Sequence, residues 1–115
     1  SFNAYVEVLR RNDEELGKLW DTIRADDELR ETTTVIVLPE FGRDANLNER
    51  NGLDHGDGSD DMLSVFLIAA GPDQPRDKVV NREIRTIDAC PTVLRLLGVK
   101  PPPSARGRVI RELHA

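Results

Sequence analysis

Cysteine is nearly absent from these 115 residues. Cys90 stands alone, which excludes a disulfide within the chain and any zinc site built from several thiolates. A free cysteine is usually a small buried hydrophobe, so Cys90 is expected to be a packing residue. Basic charge is also short: 16 Lys and Arg against 21 Asp and Glu leave a formal charge of −5. That balance argues against nucleic acid or an anionic membrane surface as the main partner. No stretch comes near the roughly 18 consecutive apolar residues of a membrane span, and no secretory leader is visible. The chain opens at Ser1 without an initiator Met, so part of a longer product is expected upstream. There is no internal repeat and no Gly-rich phosphate loop of the P-loop or dinucleotide type.

What is present, 38% hydrophobic and 32% charged residues, suits a globular chain with a modest core. Phe2, Tyr5, Leu9, Leu16, Trp20 and Ile23 recur at helical spacings and predict an amphipathic helix over about 2–25. Asn12 and Asp13 interrupt its apolar stripe, and a carboxylate there calls for a hydrogen-bond partner on a neighbouring loop. The charged run from Asp26 to Glu31 reads as a solvated connector. Thr32 to Leu38 is rich in β-branched residues and predicts a strand covered on both faces, which Pro39 ends. Met62 to Ala70 predicts a second buried strand, stopped by Gly71-Pro72-Asp73. Thr86 or Asp88 then caps a helix running to Leu97, with Pro91 in its first turn and Gly98 as a left-handed stop. Val93, Leu94, Leu96 and Leu97 are its expected buried side. Pro101-Pro102-Pro103 is a stiff linker, and Arg106 to His114 is a final short strand or helical turn.

Helix, strand, long loop, strand, helix is the order of an α/β layer fold with a mainly parallel sheet. Two or three strands fall short of the five or six or so of a usual sheet. Buried-type strands with nothing to flank them leave open edges. Residues 1–115 are therefore expected to form a single partial domain, or a chain that associates with another copy through exposed strand edges.

In such sheets ligands bind at the carboxyl ends of the strands. The polar, glycine-punctuated stretch from Glu40 to Asp61 leaves one of these ends and is long for a simple connection. It carries Glu40, Asp44, Asp54, His55, Asp57, Asp60 and Asp61, with Arg43 as the nearby cation. Carboxylates and an imidazole are the donor set for zinc, manganese or magnesium. The same residues also suit an acidic, solvated loop. Two narrower readings fail on spacing. Asp54 to Asp61 lacks the alternating acids and closing Glu of a calcium loop. Cys90 to Arg95 has four intervening residues where a phosphatase Cys loop has five, and it lies in a predicted helix.

Several segments together resemble the alkaline phosphatase superfamily of phosphatases, sulfatases, phosphodiesterases and phosphomutases. Thr86-Ile87-Asp88-Ala89-Cys90-Pro91-Thr92-Val93-Leu94-Arg95-Leu96-Leu97-Gly98 is similar to the "D-x-x-P-T…L-L-G" helix that closes those domains. Pro102 and Gly107 follow as in its tail, and Asn12 to Leu19 is similar to a helix that precedes a ligand-bearing strand. Val37-Leu38-Pro39-Glu40-Phe41-Gly42-Arg43 falls where many members read "S-D-H-G". It is closer to a sulfatase-like family that reads "E-F-G-R" there and carries a later Asp-His pair, matched by Asp54-His55-Gly56.

The resemblance covers about residues 2–112. It implies the C-terminal portion of a doubly wound, mainly parallel sheet flanked by helices, in an extracytoplasmic protein. It implies a metal-dependent phosphate- or sulfate-ester hydrolase whose nucleophile lies upstream, so that no catalytic residue falls in this segment. Glu40, Asp54 and His55 would be ligands to a divalent metal (zinc, manganese, magnesium or calcium), and Arg43 would bind the substrate anion. Asp54 has an alternative role in fixing the His55 tautomer, and Arg43 one in a salt bridge. Phe41 departs from the pattern, because a phenyl ring cannot be a ligand. That departure favours the alternative of a non-catalytic binding or scaffolding member with a degenerate metal site.

Overall fold

The computed structural model describes residues 2–44, 46–56 and 58–113. Helix α1 spans Phe2–Ala25, as its apolar spacing predicts. Its outward face carries ion pairs one turn apart, Glu7 with Arg10 and Arg11, Arg10 with Glu14, and Glu15 with Lys18. Such solvent-exposed pairs are screened and add little, so the helix depends on its apolar stripe. That stripe is thinly covered: Ile23 is buried, Tyr5, Leu16 and Trp20 are half-buried, and Phe2 and Leu9 are exposed. Asp13 is exposed as well and makes no side-chain hydrogen bond or ion pair among the described residues.

The charged run after α1 is not a connector. It forms a second helix, α2, over Asp27–Thr32. Asp26 caps it, its Oδ1 accepting the N–H groups of Glu28 and Leu29 at 2.9 and 2.8 Å. An Asp cap followed by Asp27 and Glu28 in the first turn is a helix start, and the β-branched Thr residues beyond stop it.

Strand β1 is Val35–Val37, and β2 is Ile68–Ala70. They pair as a two-stranded antiparallel sheet, the only sheet among the described residues. Neither strand is covered on both faces: β1 is half-buried and Ile68 is exposed. The run from Met62 to Ala70 is not one strand either. Its start belongs to α3, Asp60–Leu63, where Ser64 N–H returns to Asp60 O at 2.8 Å. Asp60 and Asp61 favour that turn, and the Met62 carbonyl is taken by Gly42 N–H, so extended pairing begins only at Ile68. One strand pair bears neither for nor against a doubly wound parallel sheet.

The chain divides into two compact units, Ser1–Thr33 with Val37–Ile68, and Thr34–Ile36 with Ala69–Ala115. The second is organised by the closing helix α4, Ala89–Leu96, entered through a 3₁₀ turn at Thr86–Asp88 and left through Gly98 at φ 70°. Its buried side is Pro91 and Thr92, with Leu94 and Leu96 half-covered; Val93 and Leu97 are exposed. Cys90 is exposed too, because it lies about half a turn from Thr92 and so faces outward. The Asp and Thr of the closing motif fasten the tail. Asp88 accepts Arg85 N–H at 2.9 Å and Arg108 N–H at 2.7 Å, one on each carboxylate oxygen. Thr92, 1% exposed, donates to the Asp88 carbonyl and accepts Ile110 N–H at 2.9 Å. Ile110 and Leu113 are thereby buried, Leu113 in a 3₁₀ turn at Arg111–Leu113. Burial disfavours the Asp88 carboxylate, but the N–H groups of Arg108 and Arg85 outweigh it and hold its pKa below the ordinary value.

Arg82 grips Glu112 through two hydrogen bonds of 2.7 and 2.6 Å. The guanidinium holds the Glu112 carboxyl down to about 2, from an ordinary 4.5. A depressed pKa stabilises the fold in full above the ordinary carboxyl range, and that contribution fades as pH falls from about 4.5 toward 2. An NMR titration should place the Glu112 midpoint near 2 and return it toward 4.5 in Arg82→Gln. A midpoint that the substitution leaves in place would contradict the pairing.

Candidate functional site

The candidate residues lie on the long loop of the first unit, and one carboxylate folds that loop back on itself. Asp44 is buried at 7% exposure. Its N–H donates to Asp54 O at 2.9 Å, and its Oδ2 accepts Gly56 N–H at 3.1 Å. Between these contacts the chain makes a tight excursion closed by Asn48. That side chain accepts the N–H groups of Arg50 and Gly52 at 2.9 and 3.0 Å, and Asn48 N–H reaches Gly52 O at 2.9 Å. A second closure joins Gly42 N–H to Met62 O at 2.8 Å. The E-F-G-R and D-H-G segments consequently run beside each other.

The rings of Phe41 and His55 meet at 4.7 Å between centroids, tilted by 40°. His55 Nε2 lies 3.5 Å from Asp54 Oδ1, which also accepts the His55 backbone N–H at 3.1 Å. Asp54 is half-buried, whereas His55 and Glu40 are exposed. Asp60 and Asp61 are exposed in the first turn of α3, and Asp57 lies outside the described residues. Arg43 has no carboxylate partner among the described residues. Its Cζ stands 5.2 Å from the Tyr5 ring centroid, a cation–π contact that fixes the guanidinium against α1. Arg43, Tyr5, Phe41, Asp61 and Phe66 border a cavity of about 840 Å³, mostly apolar with Arg43 and Asp61 as its charged groups.

Among the described residues no three His, Cys, Asp or Glu side chains come together as a metal-holding group. The donors have the right chemistry for a divalent ion but do not form a full set. Two participants escaped the sequence reading. Asp44 stood in the candidate list only as a ligand, and its part as the clasp depends on a bond spanning twelve residues. Tyr5 read only as a core residue of α1, and nothing in local spacing points it at Arg43.

No family model, curated protein or solved structure matches the chain. No described helix is long and apolar enough to cross a membrane.

Proposed function

We propose that these residues are the C-terminal segment of a metal-dependent phosphate- or sulfate-ester hydrolase-like protein, inactive alone because the nucleophile lies upstream. The observation that carries this reading is the Asp44 clasp, which sets the E-F-G-R and D-H-G segments side by side. Glu40, Asp54 and His55 would supply part of a ligand set for a divalent ion, completed by residues outside this chain. Such an ion polarises the ester and neutralises charge on the transferred group. If Asp54 is not itself a ligand, it would orient the imidazole, since its Oδ1 lies 3.5 Å from His55 Nε2. Arg43, held over Tyr5 on the lining of a mostly apolar cavity, would present its planar donors to the substrate anion. The apolar walls favour an ester with an aromatic or alkyl body.

Exposed large apolar side chains support a larger doubly wound domain around this segment. Phe2, Leu9, Phe66, Ile68 and Leu97 are all uncovered, and the outer edges of the two strands carry no further strand among the described residues. The same edges would let copies of the isolated chain associate.

A second reading, a binding or scaffolding protein with a degenerate metal site, is favoured by one contact. The ring of Phe41, which cannot bind a metal, is the group packed against His55, 4.7 Å between centroids. Assay of the full-length protein on an aryl phosphate and an aryl sulfate, with zinc, manganese, magnesium or calcium added, separates the two. Turnover that falls at least roughly a hundredfold in Glu40→Ala, as loss of a metal ligand or its support does, supports the hydrolase. No turnover with any metal supports the scaffold.

A further inference from the structure

A concavity of about 770 Å³ in the second unit is lined by four arginines, Arg82, Arg85, Arg108 and Arg111. Three acids share its wall, and two are already engaged. Glu112 is gripped by Arg82, and Asp88, 8% exposed, has each oxygen occupied by a backbone N–H. Glu83 makes no ion pair among the described residues, and the Asp88 carboxylate, bonded only by neutral N–H groups, keeps a negative charge within electrostatic range of Arg85 and Arg108. The guanidinium groups of Arg85, Arg108 and Arg111 make no hydrogen bond or ion pair among the described residues.

Asp88 also sets the geometry of this wall. By accepting the backbone N–H of both Arg85 and Arg108, it brings two arginines distant in sequence to neighbouring positions. Their backbones are fixed at this base, so a ligand orders only the guanidinium arms. Guanidinium donors in a planar fork match the paired oxygens of phosphate, sulfate or carboxylate. The volume lies within the range of about 300–1,000 Å³ typical of small-molecule sites and well above the size of one oxyanion.

We propose that this concavity binds a small molecule carrying at least two oxyanion groups, with Arg85, Arg108 and Arg111 as its direct contacts. Arg82 is part of the frame, since its guanidinium is committed to Glu112. The site shares no residue with the Glu40–Asp61 loop and does not depend on hydrolysis there.

Titration calorimetry of the chain at low salt, with orthophosphate, pyrophosphate and citrate as probes, tests it. Saturable one-to-one binding is expected for pyrophosphate or citrate, at least roughly tenfold tighter than for orthophosphate because a second group is engaged. The stronger of the two probes names the group, phosphate or carboxylate. Arg85→Gln with Arg108→Gln should weaken binding at least roughly tenfold while amide exchange shows the Asp88 fastenings kept, because those bonds use only backbone N–H groups. Should that pair fail to fold, Arg111→Gln alone, which breaks no side-chain hydrogen bond or ion pair among the described residues, must still weaken binding. Arg95→Gln with Arg106→Gln removes the same charge outside the concavity and should change affinity by less than about threefold, the scale of screened, distant charges. Failure of both pyrophosphate and citrate to saturate, or equal loss in the control pair, would overturn the proposal.

Discussion

Gly42→Ala is expected to open the candidate loop and destabilise the first unit by about 2–3 kcal/mol. A Cβ at this position would run into the Asp61 carbonyl oxygen and lie 3.1 Å from its carbon and 3.2 Å from Met62 Cα. All three are backbone atoms, so no side chain can swing aside. The approach of the two strands of the loop must widen, and the bond from Gly42 N–H to Met62 O is lost with it. Phe41 and Arg43, on either side, would then leave His55 and Tyr5. Gly52→Ala is the matched control, since its Cβ would meet only the Asn48 side chain at ordinary contact distances of 3.6 and 3.7 Å. Urea unfolding and amide exchange at residues 42 and 44 should separate the two variants. Equal behaviour would mean that the loop is not closed at Gly42.

Gly107→Ala should cost more, about 3 kcal/mol or above, because it strikes two fastenings together. Its Cβ would collide with the Ile87 carbonyl oxygen and lie 2.5 Å from the Ile87 carbon and 2.8 Å from Asp88 Cα. Moving the tail away removes Arg108 N–H from Asp88 and Ile110 N–H from Thr92. It also uncovers Ile110 and Leu113, two of the few buried apolar side chains. Exchange protection at residues 108 and 110 should vanish while α1 keeps its helical signal. Retained protection at both amides would show that the tail is not held against the closing helix at this glycine.

These two glycines also show what was readable in the sequence. Elements set by local periodicity were legible: α1 from its apolar spacing, and α4 from its cap, its proline and Gly98. So was the absence of a strand or helix between Glu40 and Ser59 among the described residues, although Asp60 and Asp61 open α3. Elements decided by competition between neighbours were not. Asp26 was a cap hidden in a charged run, and Met62-Leu63 entered a helical turn because two aspartates precede them. Cys90 was assigned by residue type, which cannot foresee that Thr92 would take the inward side.

The site was legible as a list of donors and not as an arrangement. Spacing could not show that Asp44 would close the loop onto Gly56, or that a tyrosine forty residues or so earlier would underlie Arg43. Nor could it show that Phe41 rather than Glu40 would be the group packed against His55. Each of these depends on long-range contacts, which local pattern does not encode.

Equilibrium binding of zinc and manganese to the full-length protein, compared with His55→Ala, bears most directly on the proposed metal role of the clasped loop. The variant should lose one metal equivalent or bind it at least roughly tenfold more weakly, as loss of one imidazole donor requires. Unchanged stoichiometry and affinity for both metals would contradict the assignment of Glu40, Asp54 and His55 to a metal centre.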